Sequence, residues 1–586
     1  MDNFIDIQKK LDELIQIPIN IPKVYIFGDT AAGKTTIIRQ LLGTKEYNFP
    51  TTRLNRCTVA QTEYVITKDE LFRAALLFKT RYEISTIIQE ILEKTILESY
   101  KPFVNNETNI EEISELLEES ADQRFRLKYI INDEERSNFA KIIYEDILPK
   151  IKTWILTEFP DEDDLNILLE LAIDEVIKNN LIDIQENIIT KIEDELIALS
   201  DKKIEDGSYY FEDNNIDNFI SKLKKFLAAE KNSISPIIHK ARIRGPFFPD
   251  WIKNNVEIVL IDGEGIGHDT KETKNVLDSR HLDYFYISDS IVLVENSTKP
   301  FTSGGKVAIK GVIQNGFVSK FKILFNQLDK VEPENNRKEQ IKEVKKALRN
   351  VINSIVSEKI NISQSELDLF FVGNPTNFES TEENIFEYEK LLKNIKETSL
   401  LPKPQFVTPV YDLEMLAPFI NEANIDFRNL WENYLFGNNK KPWQTVKAFN
   451  RRMEWGQDGY FEILRPVAEL HNEIISELSQ YLNSPIHWKE EVTTEVKKAS
   501  INLFKQSFSN LLLNEIRKLL VLNNLNYWKE ALEFSGSGST IKRANKIDEI
   551  VKETVPSMLE VNAVVFKDII KDCINKAISN CAKPKT

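Results

Sequence analysis

At 586 residues, with 42% hydrophobic and 29% charged side chains, the chain has a soluble globular composition and length for about two to four domains. Its formal net charge of −16 repels a polyphosphate backbone and argues against a general nucleic-acid binder, though a local basic face could survive. Three cysteines, no HExxH and no His/Cys cluster argue against a disulfide framework or a structural zinc; no run nears about 18 apolar residues, so a cytoplasmic setting without a transmembrane segment is expected.

Glycine (18) and proline (21) are scarce, which favours long helices. The first twenty residues carry acids early and lack the apolar run of a signal peptide. Residues 23–27 (Lys-Val-Tyr-Ile-Phe) then read as a strand buried on both faces. It leads into Gly28-Asp29-Thr30-Ala31-Ala32-Gly33-Lys34-Thr35, a GxxxxGK[ST] loop, followed by Thr36 and a helical pattern that stops at Gly43. Strand, loop and helix in this order predict a phosphate cradle. Glycines let successive N–H groups face the phosphates at a helix N-terminus, Lys34 reaches the β/γ oxygens, and the Thr35 hydroxyl takes a Mg²⁺ position.

Residues 58–66 read as a second strand. From about residue 68 to about residue 240 the text is helical, with no strand of comparable strength. Thr108 and Glu111 are spaced as a capping box, and Leu165, Leu168, Leu169, Ala172 and Val176 share one helix face. A structureless stretch of that length would be implausible, so a folded helical insertion is expected. The next apolar run, 256–261, ends in Asp262-Gly263-Glu264-Gly265, a DxxG: the carboxylate can hold Mg²⁺ through water and the Gly265 amide can meet a γ-phosphate. A GxGxG dinucleotide turn on Gly263, Gly265 and Gly267 is the competing reading.

Runs 290–295 and 321–325 follow, the latter ending in Asn326-Gln327-Leu328-Asp329. Asp329 can accept from guanine N1–H and N2–H₂, a donor pair that adenine lacks, and Asn326 would tie this loop to the phosphate loop. The last run, 369–372, closes on Gly373-Asn374. Repeated βα units imply a doubly wound α/β fold. Beyond 409 the text is helical again, with Ile501, Phe504, Phe508, Leu511 and Leu512 as an apolar stripe and a flexible break at the Ser-Gly-Ser-Gly-Ser of 535–539. Between 440 and 460, Lys441, Trp443, Lys447, Arg451, Arg452, Trp455 and Tyr460 interleave cations with aromatics, a pattern of buried core or of a nucleic-acid or protein contact. No exposed apolar or basic tip for membrane contact is evident.

Together these motifs resemble the translation-factor-related P-loop GTPases, and among them the dynamin-like large GTPases. The likeness rests on Gly-Asp-Thr-Ala-Ala-Gly-Lys-Thr-Thr at 28–36, Leu-Leu-Gly followed by Phe-Pro-Thr-Thr, Ile266 after DxxG, and Gln-Leu-Asp closing the guanine motif; it covers 20–66 and 250–400. The resemblance implies a doubly wound, mostly parallel sheet with a large all-α insertion and an all-α C-terminal region. The expected division is 1–67 and 246–408 for the GTPase domain, 68–245 for the insertion and 409–586 for the C-terminal domain. It implies GTP or GDP with Mg²⁺, held by residues 28–36, Asp262, Asn326, Asp329, Gly373 and Asn374. Thr51 or Thr52 is the switch I metal ligand, with Thr58 an alternative. Lys34, Thr52, Gly265 and Arg53 are the candidate catalytic set, Arg53 neutralising transition-state charge. Ile266 stands where many small GTPases carry a water-orienting glutamine, so turnover should be slow or depend on a partner. His268 and Glu264 read as switch II structure or as solvent-facing residues. A protein partner or self-association through the helical regions is expected, and nucleotide state should move the insertion, whose roots lie beside both switches. An ATPase of another P-loop group and a nucleotide-binding scaffold with little hydrolysis remain open.

Overall fold

The computed structural model describes residues 4–583 except 31, 45–59, 119–124, 160–164, 229–230, 232, 253–254, 267–275, 334–335, 359–361, 363, 374–381, 402–403, 460–462, 537 and 558. Its centre is a nine-stranded sheet: β1 (Lys23–Asp29), β2 (Gln61–Ile66), β3 (Phe72–Phe78), β4 (Ser208–Asp213), β5 (Ile238–Gly245), β6 (Ile258–Ile266), β7 (Ser290–Asn296), β8 (Phe321–Asn326) and β9 (Asp368–Phe371). The order is β4-β3-β5-β2-β6-β1-β7-β8-β9. From β6 to β9 every pairing is parallel, and β2 runs antiparallel to β6 but parallel to β5. The doubly wound, mostly parallel sheet expected from the sequence is present.

Strand alternation sorts the core into two layers. Val24 and Ile26 of β1 face one cluster, shared with Tyr64, Leu260, Val292 and the helices that follow β3. Tyr25 and Phe27 face the other, shared with Val259, Ile291, Ile323 and the C-terminal helices. Burial on both faces is why these strands read as continuous apolar runs.

The stretch from about residue 68 to about residue 240, where no strand of comparable strength was expected, contains β3, β4 and the start of β5. β3 and β4 pair antiparallel at the edge and β5 joins them to β2. The signal was hidden by charge. β5 carries Lys240, Arg242 and Arg244 at alternate positions, a pattern that suggests a solvated face. Arg242 is nonetheless fully buried, donating from Nε to Glu63 at 2.7 Å and from Nη1 to Asp12. Asp12 belongs to α1 (Phe4–Leu14), whose Ile7 and Leu11 pack on Ala75 and Leu77 of β3. Among the described residues the insertion is thus helical between Arg81 and Ser200, and it lends strands to the sheet at both its roots.

Two further helices matter here: α2 (Lys34–Leu42), capped by left-handed Gly43, and α3 (Arg81–Val104), opened by a reciprocal Thr80–Glu83 capping box. The box expected at Thr108 is shifted by one. Asn109 caps the helix Ile110–Leu116 instead, its Oδ1 accepting from the amides of both Glu111 and Glu112. Leu168, Leu169 and Ala172 of α4 (Leu165–Glu175) are buried as expected. After β6 comes α5 (Ser279–Ile287), and the C-terminal region includes α6 (Trp443–Glu454), α7 (Thr494–Leu520), α8 (Ser539–Thr554) and α9 (Ala563–Ala582). The serine–glycine break is anchored where it is described: Gly538 caps α8, and buried Ser539 donates to Glu170 of α4 at 2.9 Å.

Candidate nucleotide site

The carboxyl ends of β1, β6, β7, β8 and β9 point to one edge of the sheet, where ligands of doubly wound folds sit. There β1 turns into α2 through the phosphate loop. Gly33 caps α2 at φ +91°, and a Cβ on it would lie 2.5 Å from Asn326 Nδ2, so only glycine fits. Asn326 Nδ2 donates to the Ala32 carbonyl, tying the β8 loop to the phosphate loop. Lys34, 8% exposed, donates from Nζ to the Gly28 and Asp29 carbonyls at 3.0 and 2.9 Å. Its ammonium therefore lies across the loop whose amides open α2, so cation and helix N-terminus share one concavity.

Asp262 comes to the same place from β6. Thr35 Oγ1 donates to Asp262 Oδ2 at 2.9 Å. A hydroxyl and a carboxylate side by side are an all-oxygen donor set, which fits Mg²⁺. The DxxG is not a loop but the end of β6: Gly28 pairs with Gly265 and Asp29 with Ile266, past an irregularity after Ile26. A Cβ on Gly265 would stand 2.6 Å from Thr30 Oγ1. Since Gly263 and Gly265 are strand residues rather than a strand-to-helix turn, the dinucleotide reading loses its required context.

At the other end of the site, Gln327 takes a left-handed φ of +52°, and the Leu328 amide donates to the Val372 carbonyl at 3.1 Å. This turn leaves Asp329 exposed beside Gly373, whose own amide donates to Asn384 Oδ1 at 2.7 Å. Asp329 and the phosphate loop thus flank one edge, joined through Asn326. Ala31, Thr51, Thr52, Arg53, Thr58, His268 and Asn374 lie outside the described residues. Thr36 follows Thr35 in the first turn of α2.

Several residues that sequence reasoning did not single out also converge here. Thr302, after β7, donates to the Asp29 carboxylate. Glu295, 3% exposed at the end of β7, accepts from the Phe301 amide at 3.0 Å, while its Oε1 has no hydrogen-bond partner. Burial, assisted by the charge of Asp29 and opposed by the Phe301 bond, pushes its carboxyl up to about 8. The one trace in the sequence was an acid ending an apolar strand.

Glu264 forms an ion pair with Arg280 at 2.8 Å, and Arg280 also binds Asp278 at 2.8 Å. Burial opposes the Asp278 charge, but the Arg280 guanidinium holds its carboxyl far below the usual range. Tyr25 and His281 share a hydrogen bond at 2.9 Å, and burial pushes the imidazole down to about 4, leaving it neutral. Further along α5, Ser279 donates to Asp458 at 2.7 Å and Asp283 pairs with Arg517 of α7 at 3.1 Å. The basic, aromatic stretch of 440–459 is core. Arg451, Arg452 and Lys447 pair with Glu90, Glu93 and Asp174, and Trp443 and Trp455 are buried. Those cations are spent inside the molecule rather than offered to nucleic acid.

No protein-family model matches the chain, and no curated protein matches it. Two solved chains that it resembles belong to an oligomerised bacterial dynamin pair described as a mechanism for long-range sensing and tethering of membranes. Identity is 11% and 12%, with 98% of this chain and 73% and 74% of theirs covered, at TM-scores of 0.27 and 0.30. At that level the functional reading rests on the site itself.

Proposed function

We propose that the chain binds GTP with Mg²⁺ and hydrolyses it to GDP and phosphate. The observation that carries this reading is the convergence of three loops on one sheet edge: the Lys34 loop, Asp262 beside Thr35, and Asn326 linking Asp329 to Ala32. Lys34 and the first amides of α2 hold the β- and γ-phosphates, and Asp329 accepts from the guanine edge. Thr35 and Asp262 hold Mg²⁺, which when bound neutralises charge on the β/γ oxygens. The Gly265 amide adds a donor near the γ-phosphate. Ile266, buried and without a hydrogen-bonding group, cannot orient a nucleophilic water, so intrinsic turnover is slow. An ATPase reading differs only at the base.

Competition binding by the purified chain tests this reading: GTP with Mg²⁺ should displace a fluorescent guanine nucleotide at least about 100-fold better than ATP. Phosphate release should be measurable and absent in Lys34→Ala. Preference for ATP, or binding of neither, overturns the proposal. Binding without phosphate release leaves the scaffold reading.

A specific surface favours a second property, contact with lipid. Between α8 and α9, Leu559 is 99% and Val561 91% exposed, and Val564 and Val565 follow at 60% and 61%. No such tip was evident in the sequence. Protruding apolar side chains suit the headgroup boundary of a bilayer. No helix among the described residues is long and apolar enough to cross one. Co-sedimentation with liposomes should fall in a Leu559→Asp, Val561→Asp variant; equal sedimentation of that variant sinks this second reading.

A further inference from the structure

The nine-stranded sheet has two edge strands, and they are finished differently. β9 is guarded. The Val372 amide donates inward to the Phe325 carbonyl at 2.8 Å, so by alternation Phe371 turns its backbone outward. There Glu387 takes its amide at 3.1 Å and Arg337 its carbonyl at 2.7 Å. Occupying an edge in this way suppresses pairing with another chain.

β4 is open. It runs antiparallel to β3, with Phe72 opposite Asp213 and Leu77 opposite Ser208. The Phe78 amide donates to the Gly207 carbonyl at 2.9 Å, which sets 207, 209, 211 and 213 as the residues that bond to β3. The amides and carbonyls of Ser208, Tyr210 and Glu212 therefore point out of the sheet, and among the described residues they meet no hydrogen-bond partner. α1 does not cover them, since it crosses β3, β5 and β2 through Leu77, Arg242 and Glu63. The helix Ile216–Leu227 packs on the opposite face, where Phe226 meets Tyr209 and Phe219 meets Phe211.

The strand complements itself. With a second copy laid antiparallel about Tyr210, every outward amide and carbonyl of both strands is paired, and opposite residues match: Tyr210 with the partner's Tyr210, Tyr209 with the partner's Phe211, Ser208 with the partner's Glu212. Among the described residues the Ser208 hydroxyl has no bond of its own. Glu212 accepts from Tyr210 Oη at 2.5 Å and pairs with Arg73 at 3.5 Å, and its carboxylate has lone pairs left for that hydroxyl. Other registers are worse. Centring on Glu212 sets that carboxylate against itself, and centring on Tyr209 or Phe211 leaves an outward residue of each copy without a strand partner. We propose that two copies of this chain pair through β4 about a two-fold axis at Tyr210, joining their sheets. β3, β5, β2 and β6 lie between β4 and β1, which puts the phosphate loop roughly 24 Å from this edge at about 4.8 Å per strand. Pairing therefore does not depend on nucleotide, and it uses a sheet edge rather than the helical regions expected from the sequence.

Sedimentation velocity of the full chain tests the pairing. A strand pair is a small interface, so a reversible monomer–dimer equilibrium with a Kd of roughly 1–100 µM is expected, unchanged in Lys34→Ala. Tyr210→Pro removes only an outward amide, a change that edge strands tolerate, and should weaken the dimer about tenfold or more. Ser208→Lys, set against the partner's Glu212, should tighten it, and Ser208→Glu should loosen it about fivefold or more. A folding defect would move those two variants the same way, so their opposite signs keep the test decisive even where Tyr210→Pro fails to fold. Register is read by mild oxidation: a mixture of Ser208→Cys and Glu212→Cys chains should form a disulfide dimer that neither forms alone, because opposed Cα atoms about 5.5 Å apart suit the bond. A chain that stays monomeric up to about 200 µM, well above the expected Kd, overturns the proposal. So does a dimer indifferent to both Ser208 variants, or cross-linking no better in the mixture than in either chain alone.

Discussion

Asp329 and Glu295 show how differently two carboxylates can be used within one site. Asp329 is exposed on a turn pinned by Gln327 and Val372, so its charge is not expensive and its geometry is set by backbone. If it reads the guanine edge, Asp329→Asn exchanges an acceptor for a donor. Xanthine nucleotide should then be favoured over GTP, reversing the wild-type order by at least about 100-fold in competition binding. Unchanged preference removes Asp329 from the base site. Glu295 is the opposite case, kept protonated at neutral pH by burial. Its folded pKa of about 8 lies above the ordinary value of 4.5, so between those values the unfolded chain releases a proton that the folded chain keeps. Stability from this group is therefore lost as pH rises from 4.5 towards 8. Glu295→Gln keeps an acceptor for Phe301 and cannot ionise, so its melting temperature should fall less than wild type between pH 5 and pH 8, the gain at pH 8 being on the order of 1 kcal/mol or more. Parallel pH dependence in the two proteins would count against a protonated Glu295. Asp329 was legible because a motif spacing announced it; Glu295 was not, since its protonation depends on burial by the packed fold, with only a lesser contribution from the charge of Asp29, and neither is visible in a local pattern.

Helix α5 begins beside the DxxG strand and packs against α7, and it contributes to a cluster of buried charges. Arg517 reaches Asp283 at 3.1 Å and Asp458 at 2.6 Å, with side chains 14%, 7% and 21% exposed. Removing one member of such a cluster strands the others, which costs about 3–5 kcal/mol in comparable buried pairs. Arg517→Met should therefore lower unfolding free energy by roughly 3 kcal/mol, whereas adding Asp283→Asn and Asp458→Asn should recover part of that loss. Additive losses across this cycle would show that the three side chains do not act as a unit. At the level of elements the sequence was a good guide where one physical force dominated. Continuous apolar text located β1 and β6 to β9, and the helical pattern stopping at Gly43 located α2, which Gly43 caps. It misled where burial was purchased with charge, as in β5, whose Arg242 looks solvent-facing until Glu63 and Asp12 are placed against it.

Viewed whole, the sheet is clasped from both sides, and the two sides are bolted to each other. The insertion and the C-terminal helices, far apart in sequence, meet where Glu90 and Glu93 of α3 face Arg451 and Arg452 of α6. They meet again where Lys447 reaches Asp174 of α4 and Arg543 of α8 reaches Glu170 at 3.1 Å. A nucleotide-driven shift of α5 would thus pass first to α7 through Arg517, then to α6, and only then to the insertion. That order differs from a direct push at the insertion's roots, and hydrogen exchange separates the two. With a GTP analogue in place of GDP, protection should change in 279–287 and 494–520 and also in 81–104. In a Glu90→Gln, Glu93→Gln variant the first two changes should persist while the third shrinks, because the α3–α6 contact carries it. If the change in 81–104 survives at full size in that variant, the signal runs through the roots; if it is missing from the wild-type chain, nucleotide state does not reach the insertion.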